Sequence, residues 1–323
     1  MINLESIHSL VADDMAAVNL VILDHLESPI TLIKQLGEHI LKSGGKRLRP
    51  LLALLSAHCF SYKGKDHIRL AAIVEFIHTA TLLHDDVVDS SQMRRGQNTA
   101  NAIWGNQASV LVGDFLFSRS FQMMVVLNSL KVMEILARAS NTIAAGEVLQ
   151  LMNCHQPDTN ESQYMAVIEA KTACLFSAAT QLGAHIAGQS PQMEETMANY
   201  GLHLGNAFQL IDDALDYSGN SSEMGKNIGD DLAEGKPTLP LIYVIQHGNS
   251  QQQKLIIDAL QQGTLEKLDE IQKIIASTGA IEYTYAAAKR EALLAIESLK
   301  TVPDSPYKAA LVNLANFTLE RVS

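Results

Sequence analysis

The sequence predicts an all-α protein, one large domain over residues 1–323 whose helices pack around a central cavity. Apolar residues recur at three- and four-residue spacing along most of the chain, as in "IRLAAIVEFIHTATLLHDD" and "GLHLGNAFQLIDDALDY". That spacing is the period of an amphipathic helix. Apolar and β-branched alternation bounded by turns is scarce. No low-complexity tract, Gly/Ser linker or shift in composition indicates a domain boundary.

Clusters of Gly, Pro, Asn and Ser divide the chain into its predicted helices. We place these breaks at residues 61–66, 90–98, 153–162, 218–240, 247–252 and 301–306. The segments between them are long enough for helices of several turns. The sequence therefore predicts long helices joined by short connections, in one continuous bundle.

Composition excludes several classes of protein. Hydrophobic residues are 47% and charged residues 18% of the chain, which excludes a disordered protein. The net charge of -11 argues against a nucleic-acid surface. Cys59, Cys154 and Cys174 show no CxxC spacing, so we expect neither a zinc knuckle nor a disulfide framework. The first residues lack the basic region of a signal peptide, and we expect a cytoplasmic protein without a transmembrane segment.

Two acidic motifs carry the functional prediction. "DDVVD" at 85–89 recurs as "DDALD" at 212–216, each after an apolar helical approach. Residues four apart share a helix face, so Asp85 pairs with Asp89 and Asp212 with Asp216. Like charges at that spacing repel, and the negative end of a helix dipole adds to the penalty. Magnesium takes carboxylate oxygens together with substrate phosphates. We therefore expect two such helices to face each other and hold a metal cluster.

A solvated helix end is the alternative for one such motif, and the second copy makes it improbable. His78 shares a face with Asp85 and Asp89, although a single histidine on an apolar helix is more often part of the core. Gln209 lies three residues before Asp212 and seven before Asp216, so it shares the helix face of the second motif. His84 lies beside the first stripe and is expected to cap or pack.

Cations accompany both motifs in this acidic chain. "SGGKRLRP" places Lys46 and Arg49 after two glycines that let backbone approach a ligand. Pro50 suits the first turn of the next helix, whose free N–H groups favour an anion. The alternative for this cluster is a basic surface turn. Further cations are Arg94, Arg95, Lys226 and Lys236. Arginine forks match phosphate oxygens, so we expect a diphosphate ligand.

With these motifs in place, the chain resembles the trans-isoprenyl diphosphate synthases over most of its length. The resemblance rests on "GGKRLRP", "EFIHTATLLHDDVVD", "MRRG", "VGDFL", "AAGEVLQL", "KTACLF", "FQLIDDALD" and "GKNIGDDLAEGKPTLPL". Among the long-chain polyprenyl synthases it is most similar to the bacterial octaprenyl diphosphate synthases. The resemblance implies an isoprenoid-synthase-type bundle, a homodimer, Mg²⁺, and isopentenyl and allylic diphosphate substrates, without nucleic acid.

The resemblance also implies residue roles. Asp85, Asp89 and Asp212 resemble the magnesium ligands. Asp86, Asp213 and Asp216 belong to the same motifs and are expected to bind the metal through water or to support the ligands from behind. The residues that resemble the family's isopentenyl diphosphate site are Lys46, Arg49, His78 and Arg95. Those that resemble its allylic diphosphate site are Arg94, Lys171, Thr172, Gln209, Lys226 and Lys236. Catalysis is expected to need Asp85, Asp89, Asp212, Lys171, Arg94 and Arg95.

Product length is expected to follow the depth of the cavity. Ala80 and Thr81 are small residues about one turn before the first motif, where short-product relatives place aromatic rings. Met123 and Met124 are expected to form the floor, although methionine stripes are more often plain core. An aromatic side chain at position 80 should therefore shorten the product.

Three other functions compete with this interpretation. A class I terpene cyclase would have NDxxSxxxE as its second metal motif, in place of "DDALD". A phosphohydrolase based on His84 and Asp85 would need further histidines at ligand spacing, which His58, His67 and His78 do not supply. A non-catalytic subunit of a heteromeric synthase would have lost the aspartate motifs, and both are intact here.

Overall fold

A computed structural model describes residues 4–42, 45–94, 96–218 and 228–320. Two predicted site residues, Arg95 and Lys226, lie outside the described residues. The described chain is helical almost throughout, with one short hairpin. The first half comprises α1 Leu4–Ser9, α2 Ala12–Leu26, α3 Thr31–Lys42, α4 Leu48–Cys59, α5 Asp66–Val88, β1 Met93–Arg94, β2 Gln97–Asn98, α6 Ala100–Trp104, α7 Asn106–Val126 and α8 Leu130–Asn153.

The second half is helical in the parts that the structure describes. It comprises α9 Glu161–Ile168, a π-helical turn Glu169–Ala173, α10 Cys174–Ile186, α11 Pro191–Ser218, α12 Asp230–Ala233, α13 Leu239–His247, α14 Ser250–Gln262, α15 Leu268–Ser277, α16 Ala280–Ser298, a 3₁₀ turn Leu299–Thr301 and α17 Pro306–Glu320. The predicted all-α fold is confirmed.

The helix ends follow local capping chemistry. Asn160 and Asn249 each form a capping box, in which the side chain accepts from the backbone N–H three residues on. Gly263 ends α14 in the left-handed conformation, with φ of 60°. The π-helical turn at Glu169–Ala173 has no such signal in the sequence, and it carries two predicted site residues.

The chain divides into two compact units by its internal packing. The first contains residues 1–140, 175–201 and 299–314, and the second contains residues 141–174, 202–298 and 315–323. In the first unit α5 packs on α2, α4 and α7. Its central positions, among them Leu70, Ile73 and Ile77, are fully buried. The expectation of one domain over the whole chain stays a prediction.

The second unit has its own apolar clusters. One contains Leu241, Val244, Ile256 and Leu260, which are fully buried. The other joins Tyr164 and Ile168 of α9 to Leu210 and Ile211 of α11. Burial of side chains of this size contributes about 1.5–3 kcal/mol each relative to exposure. The second cluster therefore fixes α9 against the helix that carries the second acidic motif.

Helix α7 is long and apolar enough to cross a membrane by length and composition alone. Its most apolar window is 39% buried, and the helix contains Asp114 and Arg119. Core helices of soluble proteins pass the same test.

Candidate active site

The first acidic motif lies at the C-terminal end of α5. The helix ends at Val88, and Asp89 is its C-cap, whose backbone N–H donates to the carbonyl of Asp85 at 2.8 Å. Asp85 and Asp89 are partly buried and stand four residues apart. Their carboxylates therefore add to the negative end of the helix dipole, as the sequence predicts. A donor set of carboxylate oxygens fits a hard divalent cation.

Asp86, between them, has a different environment. It is 4% exposed, and Arg94 donates to its Oδ1 from Nε at 2.8 Å and from a terminal guanidinium nitrogen at 2.7 Å. The hairpin of β1 and β2 sets the position of Arg94. Asn101 donates to the carbonyls of Asp86 and Ser91 at 3.1 and 3.0 Å. These contacts tie the segment after α5 to the helix end.

The start of α4 brings a basic cluster against α5. Arg49 and His78 lie 3.0 Å apart between a guanidinium nitrogen and Nε2. Arg47, in the left-handed conformation with φ of 47°, forms an ion pair with Glu75. Glu75 and His78 are three residues apart on α5 and so share a face. Lys46 lies at an exposed position before the helix.

The second acidic motif lies near the end of α11, in the second unit. Asp212 is partly buried, whereas Asp213 and Asp216 are 3% and 8% exposed. Oδ2 of Asp216 accepts from the backbone N–H of Asp231 at 3.3 Å, and its carbonyl accepts from that of Gly229 at 3.0 Å. Asp216 therefore holds the segment that leads to Lys236, whose ammonium pairs with Glu234.

A chain of hydrogen bonds ends on Asp213. Thr172 donates from Oγ1 to Oε1 of Gln209 at 3.0 Å, and Gln209 donates from Nε2 to Oδ1 of Asp213 at 2.7 Å. The hydroxyl of Tyr164 donates to Oδ2 of Asp213 at 2.6 Å. Both carboxylate oxygens of Asp213 thus have protein donors.

Charge and burial shift the ionisation of this cluster. Burial, with the negative charges of Asp231 and Asp212, raises the pKa of Asp213 to about 7, against the hydrogen bonds from Tyr164 and Gln209, which lower it. Burial and the Asp213 carboxylate raise the pKa of Tyr164 well above its usual value. Crowded carboxylates of this kind are the setting in which a cation is most stabilising.

The π-helical turn places Lys171 and Thr172. Lys171 donates to Glu147 of α8 at 2.7 Å, while Thr172 holds Gln209 of α11. Two glycines allow the neighbouring helices to come this close. A Cβ on Gly146 would lie 3.0 Å from the backbone nitrogen of Lys171, and one on Gly205 would lie 2.5 Å from Cα of Ala173. Single π-helical turns are frequent at functional sites.

The residues predicted to set chain length lie inside the first unit. Ala80 is 1% exposed, and Met123 and Met124 of α7 are 1% and 0% exposed. Thr81 is partly buried and donates to the carbonyl of His78 at 2.8 Å. His84 faces α7, with Nε2 3.4 Å from Oδ1 of Asp114. Its expected role beside the acidic stripe agrees with this packing contact.

The structure places Arg49 beside His78 and Thr172 beside Gln209, and it adds neighbouring residues that the sequence analysis did not name. Glu147, Asn101 and Tyr164 each bind a predicted site residue, and Glu75 pairs with Arg47, between the predicted Lys46 and Arg49. Glu75 and Glu147 lie in motifs that carry the resemblance, but they are 28 and 24 residues from the cations that they pair with, so no local signal indicated these ion pairs. Tyr164 is separated from Asp213 by 49 residues and had no local signal.

Comparison with known proteins agrees with this geometry. The family model for polyprenyl synthetase matches residues 30–278. Octaprenyl diphosphate synthase of Escherichia coli (strain K12) is 52% identical over 320 residues, covering 99% of each chain. The corresponding enzyme of Haemophilus influenzae is 50% identical, covering 99% of this chain and 98% of its own.

A solved structure extends the agreement to the backbone. The polyprenyl synthase of Caulobacter crescentus CB15, complexed with calcium and isoprenyl diphosphate, superposes with a TM-score of 0.96. It is 45% identical, and the alignment covers 99% of this chain and 98% of that one. The expected family and enzyme class are confirmed: the chain belongs to the polyprenyl synthetase family of prenyltransferases.

Proposed function

We propose that this chain condenses isopentenyl diphosphate with an allylic diphosphate, farnesyl diphosphate by preference, and releases all-trans octaprenyl diphosphate for a quinone side chain. The observation that carries the proposal is the pair of DDxxD motifs near helix ends, each with cations on its own unit. The 52% identity to an octaprenyl diphosphate synthase over the full chain supports the product length. The terpene cyclase, phosphohydrolase and non-catalytic alternatives lack comparable support.

The basic cluster at the start of α4 suits the isopentenyl diphosphate. Arg49 and His78 are already in contact, and the Arg47–Glu75 ion pair anchors the backbone beside them. Lys46 is exposed and carries a charge that an entering diphosphate can meet. Arg95 completes this proposed set from outside the described residues.

The allylic diphosphate is assigned to a second set of polar residues. Lys171 and Thr172 are held by Glu147 and Gln209, so their side chains are oriented before substrate arrives. Preorganised cations of this kind stabilise a leaving diphosphate without reorganisation during the reaction. The set contains Arg94, Lys171, Thr172, Gln209, Lys226 and Lys236, of which Lys226 lies outside the described residues.

Asp85, Asp89 and Asp212 would hold Mg²⁺, which supplies positive charge to the diphosphate as the allylic C–O bond breaks. Their oxygen donors and crowded negative charge fit that ion. Asp86 and Asp213 already accept hydrogen bonds from protein groups and therefore fit a supporting role behind the ligands. That the two motifs face each other across one metal cluster stays a prediction.

The remaining chemistry needs no protein nucleophile. The allylic carbon becomes cationic, the double bond of isopentenyl diphosphate attacks it, and a proton leaves toward the departing diphosphate. Apolar walls exclude water that would otherwise capture the cation. Phe208 suits such a wall, because it is partly buried and lies about two helical turns before the end of the second acidic motif.

Assembly and location complete the proposal. We assign a homodimer in the cytoplasm, with the two diphosphates as the only small-molecule partners. The exposed apolar residues of α7, among them Leu111 at 66% and Val125 at 62%, support a second copy of the chain as a partner.

The deciding experiment incubates purified protein with farnesyl diphosphate, labelled isopentenyl diphosphate and Mg²⁺, and sizes the extracted lipids. We expect one main product of eight isoprene units, and no product when a chelator replaces Mg²⁺. Full elongation in the presence of chelator, or no elongation by the wild-type chain alone, would contradict the proposal.

A matched pair of variants separates chemistry from folding. Asp85→Ala removes a proposed ligand and should abolish turnover while leaving the helical circular dichroism unchanged. Glu134→Ala, at an exposed position of α8, removes a carboxylate that pairs with Lys131 and Arg138, and turnover should not change. Loss of the helical signal in Asp85→Ala would instead assign Asp85 to the fold.

A further inference from the structure

One carboxylate and two imidazoles cluster at the end of α5 that is remote from the first acidic motif. Nε2 of His58 lies 2.5 Å from Oδ2 of Asp14, and Nε2 of His67 lies 3.1 Å from the same oxygen. One ligand atom from each residue lies within 4.8 Å of the other two. The proposed condensation uses none of these residues.

The cluster is built by tertiary packing and is separate from the magnesium motif. Asp14 is on α2, His58 on α4 and His67 on α5, and the three helices pack together in the first unit. His67 and Asp85 lie on one continuous helix, 18 residues apart (85 − 67). At the helical rise the two positions are about 27 Å apart along the axis.

His67 gives a second, independent observation. Its side chain is 4% exposed, Nε2 approaches only Oδ2 of Asp14, at 3.1 Å, and Nδ1 makes no hydrogen bond within the part of the chain that the structure describes. The ring edges of His58 and Tyr62 contact it, at centroid distances of 5.1 and 5.4 Å. Buried polar atoms without hydrogen bonds are rare, and an ion or water is one of the standard explanations.

The donor chemistry selects the class of ion. Imidazole nitrogen suits Zn²⁺ and related transition metals, whereas Mg²⁺ takes oxygen ligands. Around a tetrahedral ion with bonds of about 2.0–2.2 Å, neighbouring ligand atoms are about 3.3 Å apart. Oδ2 of Asp14 and Nε2 of His67 already approach that spacing. The contact between His58 and Asp14 would open by about 0.8 Å, which side-chain rotation of these partly exposed residues allows.

We propose that Asp14, His58 and His67 form a structural site for a Zn²⁺-class ion, with water as the fourth ligand. The ion joins α2 to α4 and α5. It stabilises the folded chain, because the three ligands come together only in the folded state. Tyr307 stacks on the His58 ring at a centroid distance of 4.8 Å and holds its orientation.

The test measures binding and not turnover. Untagged protein is titrated with Co²⁺, whose visible absorption reports coordination by nitrogen ligands, in the presence of excess Mg²⁺ and inorganic diphosphate to fill the aspartate motifs. We expect one equivalent of Co²⁺ to give the bands, and Zn²⁺ to displace it. Saturating Zn²⁺ should raise the Tm by about 3 °C.

Variants assign the bands to the cluster. His67→Gln and Asp14→Asn should lose the absorption and the Zn²⁺-dependent rise in Tm, while His247→Gln, at the C-terminal end of α13, should keep both. If His67→Gln does not fold, the partly exposed His58→Gln serves in its place. Absent bands in the wild type, or bands that survive in these cluster variants, would show that Asp14, His58 and His67 form only a hydrogen-bonded triad.

Discussion

At the scale of single residues, the adjacent aspartates Asp212 and Asp213 of the second acidic motif have different environments. Asp212 is partly buried, whereas Asp213 is buried and has both oxygens bound by Tyr164 and Gln209. Adjacent helical residues point about 100° apart, so only one of the two can face a ligand while the other faces α9. The hydrogen bonds of Asp213 therefore fix the turn of α11 that carries Asp212, and we call this role of Asp213 a brace.

Removal of one hydrogen bond tests that brace. Tyr164→Phe leaves a buried carboxylate oxygen of Asp213 without its 2.6 Å donor, and we expect a loss of about 1–3 kcal/mol in the free energy of unfolding. Urea denaturation measures it. Tyr283→Phe removes a 2.7 Å bond to Glu161 at a more exposed position, and should cost less than about 1 kcal/mol. Equal losses in the two variants would contradict the brace.

Several single residues of the site could be read from the sequence, because their chemistry is local. The i, i+4 spacing of Asp85 and Asp89 and the glycines before Lys46 are visible in a few letters. The partners of these residues could not be read, since Tyr164 and Asp213 meet only through the packing of α9 on α11. The π-helical turn at Glu169–Ala173 escaped as well, because "EAKTA" has ordinary helix-forming letters.

At the scale of helices, α5 links the two predicted properties of the enzyme, metal binding and product length. Asp85 lies on its last turns, and Ala80 lies five residues before it. Ala80 is almost fully buried, so a larger side chain there must enter a cavity or overpack the core. Overpacking costs about 1–3 kcal/mol, and the two outcomes are therefore distinguishable.

Ala80→Tyr should shorten the product to about three or four isoprene units, because the ring blocks growth about one helical turn from the metal site. Chromatography of the dephosphorylated products measures the length. Thr81→Tyr, at a partly buried neighbour, provides the comparison. An unchanged product from a folded Ala80→Tyr enzyme would dismiss the cavity model, and a large fall in Tm would show overpacking instead.

Helix α16 offers a test of electrostatics away from the site. Burial raises the pKa of Glu291, but hydrogen bonds from His203 at 2.9 Å and Asn206 at 3.0 Å outweigh it and leave the pKa below its usual 4.5. A carboxyl group whose pKa is depressed on folding stabilises the protein above its unfolded pKa, and that stability is lost as the pH falls through the folded pKa.

Glu291→Gln should therefore lower the free energy of unfolding at pH 7 by about 1–2 kcal/mol, since it replaces a charged acceptor. The difference from wild type should shrink as the pH falls below about 4.5. Thermal unfolding at a series of pH values measures it. Glu297→Gln on the same helix is the comparison. A difference that stays constant as the pH falls from 7 through the folded pKa of Glu291, which lies below 4.5, would show that charge is not the cause.

At the scale of the whole molecule, the fold could be predicted because helical periodicity runs through nearly all of the chain. The breaks at 61–66 and 247–252 match helix ends within a few residues, since Gly, Asn and Ser mark them. The break at Gly105 was not predicted, although its φ of 84° ends α6 and starts α7. The division into two compact units could not be predicted, because its boundaries fall within helices and no linker segment marks them in the sequence.

The remaining whole-molecule question is what covers α7. Val110, Leu111, Phe121 and Val125 are 37–66% exposed, and at 100° per residue they fall within about 100° of the helix circumference. A lipid environment does not suit this face, since Asp114 lies within it. A second copy of the chain does, because a twofold interface can bury the apolar residues and leave charges at its rim.

We therefore expect the protein to sediment as a dimer, and Leu111→Lys with Val125→Lys to shift it to a monomer. Each lysine places a charge that the twofold axis doubles in an apolar interface, so dimer affinity should fall at least about 100-fold. Sedimentation velocity over a range of concentrations measures the shift. Leu293→Lys replaces an apolar residue that is 54% exposed on α16, and it should leave the dimer intact. A wild-type monomer, or an undisturbed dimer in the double variant, would remove α7 as the interface.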